Sequence, residues 1–215
     1  MEKKVDCHCH ILPGVDDGAQ TLEESVFLAG KLVEWGYERA ICTSHSSFLY
    51  RNTPATIGDA CKTLQEELKR RSIELELVPS MEYRFIPETW PVVRESGWLL
   101  PWERNHILVE LPIHDPTKIG SILPLAEVRN LIADGYQPVL AHPERYLFLS
   151  MEECAAFKKA GCEFQRNVGT IEGMYGEAVC ARAKALQTEG WYEWLGTDLH
   201  SKKYADYFDR YVFGK

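Results

Sequence analysis

Short apolar runs alternate with stretches of helical periodicity along the whole chain. Lys3–Cys9, Arg39–Ser44, Glu74–Met81, His106–Leu111, Gln137–Ala141, Cys162–Val168 and Trp194–Thr197 read as seven short strands. Between them Thr21–Trp35, Pro54–Arg71, Ile119–Asp134, Met151–Ala160 and Gly173–Glu189 carry apolar residues at helical spacing. The first helix has its own punctuation: Thr21 as N-cap, Glu24 three residues on, and Gly36 as a stop. Tyr207, Phe208, Tyr211 and Phe213 in the stretch Tyr204–Phe213 predict a last helix that packs through its rings. Apolar strands alternating with helices mean a parallel sheet covered on its outside. Periodicity by itself does not separate an open sheet from a closed barrel. With no Gly/Ser linker and no internal repeat, a single domain spanning 1–215 is expected.

The polar residues fall in a pattern of their own. Nearly every predicted strand ends on a His, Glu or Asp: His8 and His10, His45, Glu82, Glu110, His142, then Asp198 and His200. Parallel β/α barrels build their sites at that end of the strands. In Asp6-Cys7-His8-Cys9-His10 the alternation of a strand puts Asp6, His8 and His10 on one face and the two cysteines on the other. Two imidazoles at i and i+2 can hold one cation. Cys7-x-Cys9 lacks the spacer of a zinc finger and no second pair follows, so the donors are nitrogen and oxygen, suited to Mn²⁺, Fe²⁺ or Zn²⁺.

Asp16-Asp17-Gly18 offers two carboxylates, one able to bind metal while the other orients a neighbouring ligand; a plain Asp-Asp-Gly turn reads as well. Arg145 lies three residues past His142 and is a candidate fork for phosphate oxygens, with a salt bridge to Glu144 or Glu152 as its alternative. His106 and His114 fall outside the strand-end pattern and read as structural. No cysteine is followed by arginine after five intervening residues, which excludes a cysteine-dependent phosphatase loop. There is also no Gly-x-Ser-x-Gly elbow, no phosphate loop and no dinucleotide fingerprint.

Composition narrows the partners. At 45% apolar and 26% charged the chain has the make-up of a globular protein, and no run is long and apolar enough to span a membrane. A net charge of −8 argues against nucleic acid, so phosphate handling would draw positive charge from bound metals. The charged N-terminus has no signal-peptide core, and seven cysteines without a secretory signal read as reduced thiols; both point to the cytoplasm.

Asp6-x-His8-x-His10-Ile-Leu-Pro-Gly-Val-Asp-Asp17-Gly18, Thr43-Ser44-His45, His142-Pro143-Glu144-Arg145-Tyr146 and Asp198-x-His200 together resemble the polymerase-and-histidinol-phosphatase (PHP) superfamily. Within it they are similar to the bacterial manganese-dependent protein-tyrosine phosphatases of the CpsB/YwqE type. The resemblance implies a distorted (β/α)7, TIM-like barrel with up to three divalent metals, Mn²⁺ foremost. The ligands it implies are His8, His10, Asp17, His45, Glu82, Glu110, His142, Asp198 and His200, with Arg145 on the phosphate. It also implies hydrolysis of phosphotyrosine by metal-activated water, on a bacterial tyrosine kinase governing capsule or exopolysaccharide synthesis. The same motifs would serve a small phosphate ester such as histidinol phosphate, or a metal-stabilised module that binds a kinase without turnover; a homo-oligomer is compatible with either. Arg166 stands where the family often has an apolar residue, and the chain ends soon after His200, which predicts a shortened final helix.

Overall fold

The computed structural model describes residues 3–46, 49–113 and 115–214. Seven strands and seven α-helices alternate along it: β1 Val5–Cys9, α1 Leu22–Glu34, β2 Arg39–Ser46, α2 Pro54–Arg70, β3 Glu76–Arg84, α3 Trp90–Ser96, β4 His106–Glu110, α4 Pro124–Ala133, β5 Gln137–Ala141, α5 Met151–Lys159, β6 Glu163–Asn167, α6 Glu177–Thr188, β7 Trp194–Gly196 and α7 Lys202–Tyr211. Neighbouring strands bond in chain order from β1 to β7, with β1–β2, β3–β4, β4–β5 and β5–β6 parallel. Just past β7, Leu199 forms a parallel bridge with Cys9 on β1, so the order of neighbours is cyclic. This is the topology of a seven-unit β/α barrel, the fold class expected. Among the described residues no helix is long and apolar enough to cross a membrane.

The chain divides into two compact units, residues 1–81 with 196–215, and residues 82–195. In the first, α1 buries Val26, Leu28, Ala29 and Leu32 along one stripe, each large side chain worth roughly 1.5–3 kcal/mol on burial. Thr21 Oγ1 accepts from the Glu24 amide at 3.2 Å, as its spacing predicted, while the Glu24 carboxylate accepts from the Gln20 amide at 2.7 Å, one residue before the expected partner. The ring-packed last helix is present as α7. Its Phe208 meets Trp35 edge-on at 5.5 Å, and Asp209 accepts from Trp35 Nε1 at 2.8 Å and pairs with Lys31 at 2.7 Å.

The second unit is built on fully buried Ile107, Leu108, Val109, Val139, Leu140, Ala141 and Phe164. Here two helix starts differ from expectation and one helix is new. The helix expected from Ile119 is a 3-10 turn, Pro116–Ile119, followed by α4. Pro124 is the reason, since it has no N–H to give and belongs in a first turn. The helix expected from Gly173 begins at Glu177, because Gly173 and Gly176 sit at φ 89° and 90°, outside helical geometry. α3 was not foreseen: seven residues with Pro91 in the first turn give too little periodicity, and it is held by Trp90 against Phe85 at 4.5 Å.

Candidate functional site

In the first unit, β1 and the segment past β7 are tied by a buried carboxylate. Asp6 accepts from the Thr197 amide at 2.8 Å, Thr197 Oγ1 at 2.6 Å and the His8 amide at 3.2 Å. Burial pushes its carboxyl up to about 6, against these hydrogen bonds. Asp6 therefore shares the face of His8 but serves the backbone. The same seam carries Asp198 N to His8 O at 2.7 Å and His10 N to Leu199 O at 3.0 Å, with Asp198 held at φ 53°.

This seam brings three donor atoms together. His8 Nε2 lies 3.1 Å from His10 Nε2 and 3.4 Å from Asp198 Oδ1, and His10 Nε2 lies 3.6 Å from that oxygen. Ligands bonded at about 2.0–2.1 Å to one tetrahedral ion stand roughly 3.3–3.4 Å apart. A second group overlaps it. Donor atoms of His10, Asp17, His45 and His200 all fall within 4.8 Å of one another, with Asp17 Oδ1 at 3.4 Å from His45 Nε2 and 3.8 Å from His200 Nε2. The His10 and His200 rings stack at 3.9 Å.

The pair of loop carboxylates divides its labour. Buried Asp16 accepts from His10 Nδ1 at 2.8 Å and from the amides of His45 at 2.9 Å and Gly18 at 3.0 Å. Burial opposes its charge, but the facing His10 and the hydrogen bonds outweigh burial and hold the carboxyl well below its usual range. With Nδ1 engaged, His10 presents only Nε2 outward. His200 is fixed the same way, its Nδ1 donating to the Asp198 carbonyl at 2.8 Å. Burial and the neighbouring His10 bring His200 down to about 4, keeping it neutral, the form that binds a cation. Gly18 packs against His10: a Cβ there would stand 1.9 Å from the His10 carbonyl oxygen.

In the second unit, Glu82 on β3, Glu110 at the end of β4 and His142 just past β5 converge. His142 Nε2 lies 3.3 Å from Glu82 Oε1 and 3.9 Å from Glu110 Oε1, and all three side chains are nearly fully buried. The β3–β4 register sets Arg84 opposite Glu110, and Arg84 Nε donates to Glu110 Oε2 at 2.5 Å. Burial works against the guanidinium, and Glu110 and Glu82 more than offset it. Two carboxylates buried side by side are costly to desolvate, and beyond the Arg84 guanidinium a divalent cation fits as the compensating charge.

Arg145 closes a 3-10 turn, Pro143–Arg145, that begins with His142 at φ 34°. Its guanidinium carbon lies 4.5 Å over the Tyr175 ring. Glu144, the salt-bridge partner considered from the sequence, is fully buried and accepts from the Asn167 amide at 2.9 Å, Thr170 Oγ1 at 3.0 Å and Tyr192 Oη at 3.1 Å. Burial pushes its carboxyl up. The His142 amide donates to Gln165 Oε1 at 3.2 Å. Arg166 is half-buried and donates to the Asn167 carbonyl at 3.4 Å. His106 is structural as expected, stacked on Trp102 at 5.5 Å and 3.3 Å from Glu163; His114 lies outside the described residues.

The sequence thus pointed to residues that gather within each unit: His8, His10, Asp17, His45, Asp198 and His200 in one, Glu82, Glu110 and His142 in the other, where Arg145 lies three residues past His142 and over the Tyr175 ring. It missed the supporting residues. Thr197, Arg84, Gln165, Asn167 and Tyr175 carry no ligand chemistry of their own, and the only available signal was adjacency: Thr197 precedes Asp198, and Gln165-x-Asn167 shares one face of β6.

The family model for capsular polysaccharide synthesis, CpsB/CapC, matches residues 4–206. The chain is 28% identical to the tyrosine-protein phosphatase YwqE of Bacillus subtilis over 202 residues, covering 93% of this chain and 78% of that protein. It is 25% identical to the tyrosine-protein phosphatase CpsB of Streptococcus agalactiae serotype V, covering 92% and 83%. A structure from the crystallography of B. subtilis YwqE and Streptococcus pneumoniae CpsB, described as unique metal-dependent tyrosine phosphatases, superposes with a TM-score of 0.84 at 27% identity, over 98% of this chain and 88% of that one. A Listeria monocytogenes lactonase shares the fold at a TM-score of 0.56 and 12% identity, over 99% and 82%.

Proposed function

Because this chain belongs to the CpsB/CapC family of capsular polysaccharide synthesis, we propose that it is a metal-dependent tyrosine-protein phosphatase acting as one domain over residues 1–215. The observation that carries this reading is the convergence of His8 Nε2, His10 Nε2 and Asp198 Oδ1 within 3.1–3.6 Å, with Asp16 fixing His10 from behind. We assign nine ligands, His8, His10, Asp17, His45, Asp198 and His200 in the first unit and Glu82, Glu110 and His142 in the second, to as many as three divalent cations. Mn²⁺ is the cation proposed, with Fe²⁺ or Zn²⁺ fitting the same nitrogen and oxygen donors. Such cations, when bound, lend Lewis acidity to the phosphoryl group and lower the pKa of an attacking water.

The chain's own residues do the rest. Asp16 and the Asp198 carbonyl hold His10 and His200 in the tautomer that presents Nε2. Arg145 forks onto the phosphate and takes up charge on its equatorial oxygens. Each unit contributes two carboxylates, Asp17 and Asp198 in the first and Glu82 and Glu110 in the second, and divalent cations held by them would supply the positive charge that a dianion needs in a protein of net charge −8. The substrate proposed is a phosphotyrosine-bearing tail of a bacterial tyrosine kinase that governs capsule or exopolysaccharide synthesis, met in the cytoplasm.

The test is hydrolysis of a phosphotyrosine peptide by metal-stripped protein with and without added Mn²⁺, beside a phosphoserine peptide and histidinol phosphate. Mn²⁺-dependent release from phosphotyrosine alone is expected. Turnover of histidinol phosphate alone would replace the substrate class, and no turnover of any of the three would sink the enzymatic reading.

A further inference from the structure

The guanidinium of Arg145 rests on an aromatic platform, and that platform is anchored to the same strand that holds His142. Tyr175 Oη accepts from Asn167 Nδ2 at 3.0 Å; Asn167 Oδ1 accepts from Gln165 Nε2 at 2.8 Å; Gln165 Oε1 accepts from the His142 amide at 3.2 Å. Gln165 and Asn167 are fully buried on one face of β6. The loop carrying Tyr175 is a run of turns, with Gly173 N bonded to Thr170 O at 3.1 Å, Met174 N to Gly169 O at 3.1 Å and Gly176 N to Gly173 O at 3.0 Å. Its ring is therefore held at both ends, by its hydroxyl and by its backbone, while Arg145 is half-buried above it.

From this we infer that Tyr175 is a positioning residue for Arg145: its ring face fixes the guanidinium plane, and the Asn167–Gln165 relay ties that plane to the backbone of His142. The inference rests on the phosphate-binding role proposed for Arg145 and deepens it. Arginine has many rotamers, and an unsupported one loses that freedom each time it grips an anion. A ring face attracts the cation without competing for its N–H donors, the groups that a phosphate oxygen would meet. Glu144 adds to this by fixing the turn from below through the Asn167 amide and Thr170, so that the backbone under Arg145 is set by the same strand end.

The experiment uses the full chain loaded with Mn²⁺ and reads KM and kcat on a phosphotyrosine peptide, the inhibition constant of inorganic phosphate, metal per chain, and Tm. Tyr175→Leu is expected to raise KM and the phosphate inhibition constant about three- to tenfold, the scale of one cation–π contact, at unchanged metal content. Tyr175→Trp, which restores a platform, is expected to recover most of that loss, and it also serves should the leucine variant fold poorly. In an Arg145→Ala background, Tyr175→Leu is expected to add nothing, since the two act as one unit. A silent Tyr175→Leu beside a damaging Arg145→Ala overturns this inference alone. An equal loss from Tyr175→Leu in both backgrounds also overturns it, because Tyr175 would then act independently of Arg145. Phosphate affinity untouched by Arg145→Ala overturns the role proposed for that arginine, and this inference with it.

Discussion

Gly18 sits against His10 so closely that a single added carbon would displace the histidine backbone, 1.9 Å from its carbonyl oxygen. The Ala19 amide donates to the same carbonyl at 3.1 Å, so the clash has no easy relief. Gly18→Ala is expected to lower bound metal per chain and phosphatase activity together, measured by elemental analysis of the purified protein beside a rate assay. Asp16 tests a different property of His10. Asp16→Asn keeps the shape but weakens the hydrogen bond that fixes the ring, and a change in the partner of a ligating histidine costs about 10–100-fold in metal affinity. A Mn²⁺ titration of the stripped protein reads this directly, and an unchanged affinity would show that Asp16 serves only the loop. At this scale the sequence was partly legible: its residue pattern offered Asp16 and Asp17 as one ligand and one orienting group without saying which, and only the family resemblance pointed to Asp17. Burial separates them: Asp16 is 5% exposed and hydrogen-bonded by three groups, while the Asp17 side chain is 55% exposed and directed at His45 and His200.

The elements that deliver these residues owe their ends to local chemistry. α5 starts two strand-lengths of chain away from the ligands, with a capping box: Ser150 Oγ accepts from the Glu153 amide at 3.1 Å and Glu153 accepts from the Ser150 amide at 2.7 Å. Ser150→Ala is expected to lower the free energy of unfolding by about 1 kcal/mol while leaving metal content unchanged, as read by denaturant melts. α7 depends on packing instead. Phe208 is fully buried against Trp35 and Phe213, and Phe208→Ala is expected to cost about 3–5 kcal/mol. Strands were legible because short apolar runs are unambiguous when helices separate them; β5 lies at the predicted residues. β3 was read too short, ending at Met81, because Glu82 and Arg84 are polar; they remain in the strand through pairing with Leu108 and Glu110. Composition gives no hint of a ladder partner, so only the neighbouring strand could extend it.

Across the whole molecule, charged groups are buried where apolar ones would be cheaper. Glu82, Glu110 and Asp198 are at most 3% exposed, and the native fold holds them at a desolvation cost that the cations proposed for them would offset. Chelation is therefore expected to lower Tm and re-addition of Mn²⁺ to restore it. A site filled at about 100 times its dissociation constant contributes roughly 2.7 kcal/mol, and a Tm indifferent to chelator would argue that none of these groups holds metal in the native state. The alternation of strand and helix, the seven units and the placing of His, Glu and Asp at strand ends were all written in the order of residue types, because local periodicity and turn chemistry act over a few residues. Which nitrogen of His10 faces outward, which loop carboxylate is buried, that Arg84 pairs with Glu110 and that Tyr175 lies beneath Arg145 came only with the tertiary structure. Those are contacts between residues 6 to 30 positions apart, set by strand register and burial, and no pattern along the chain encodes them.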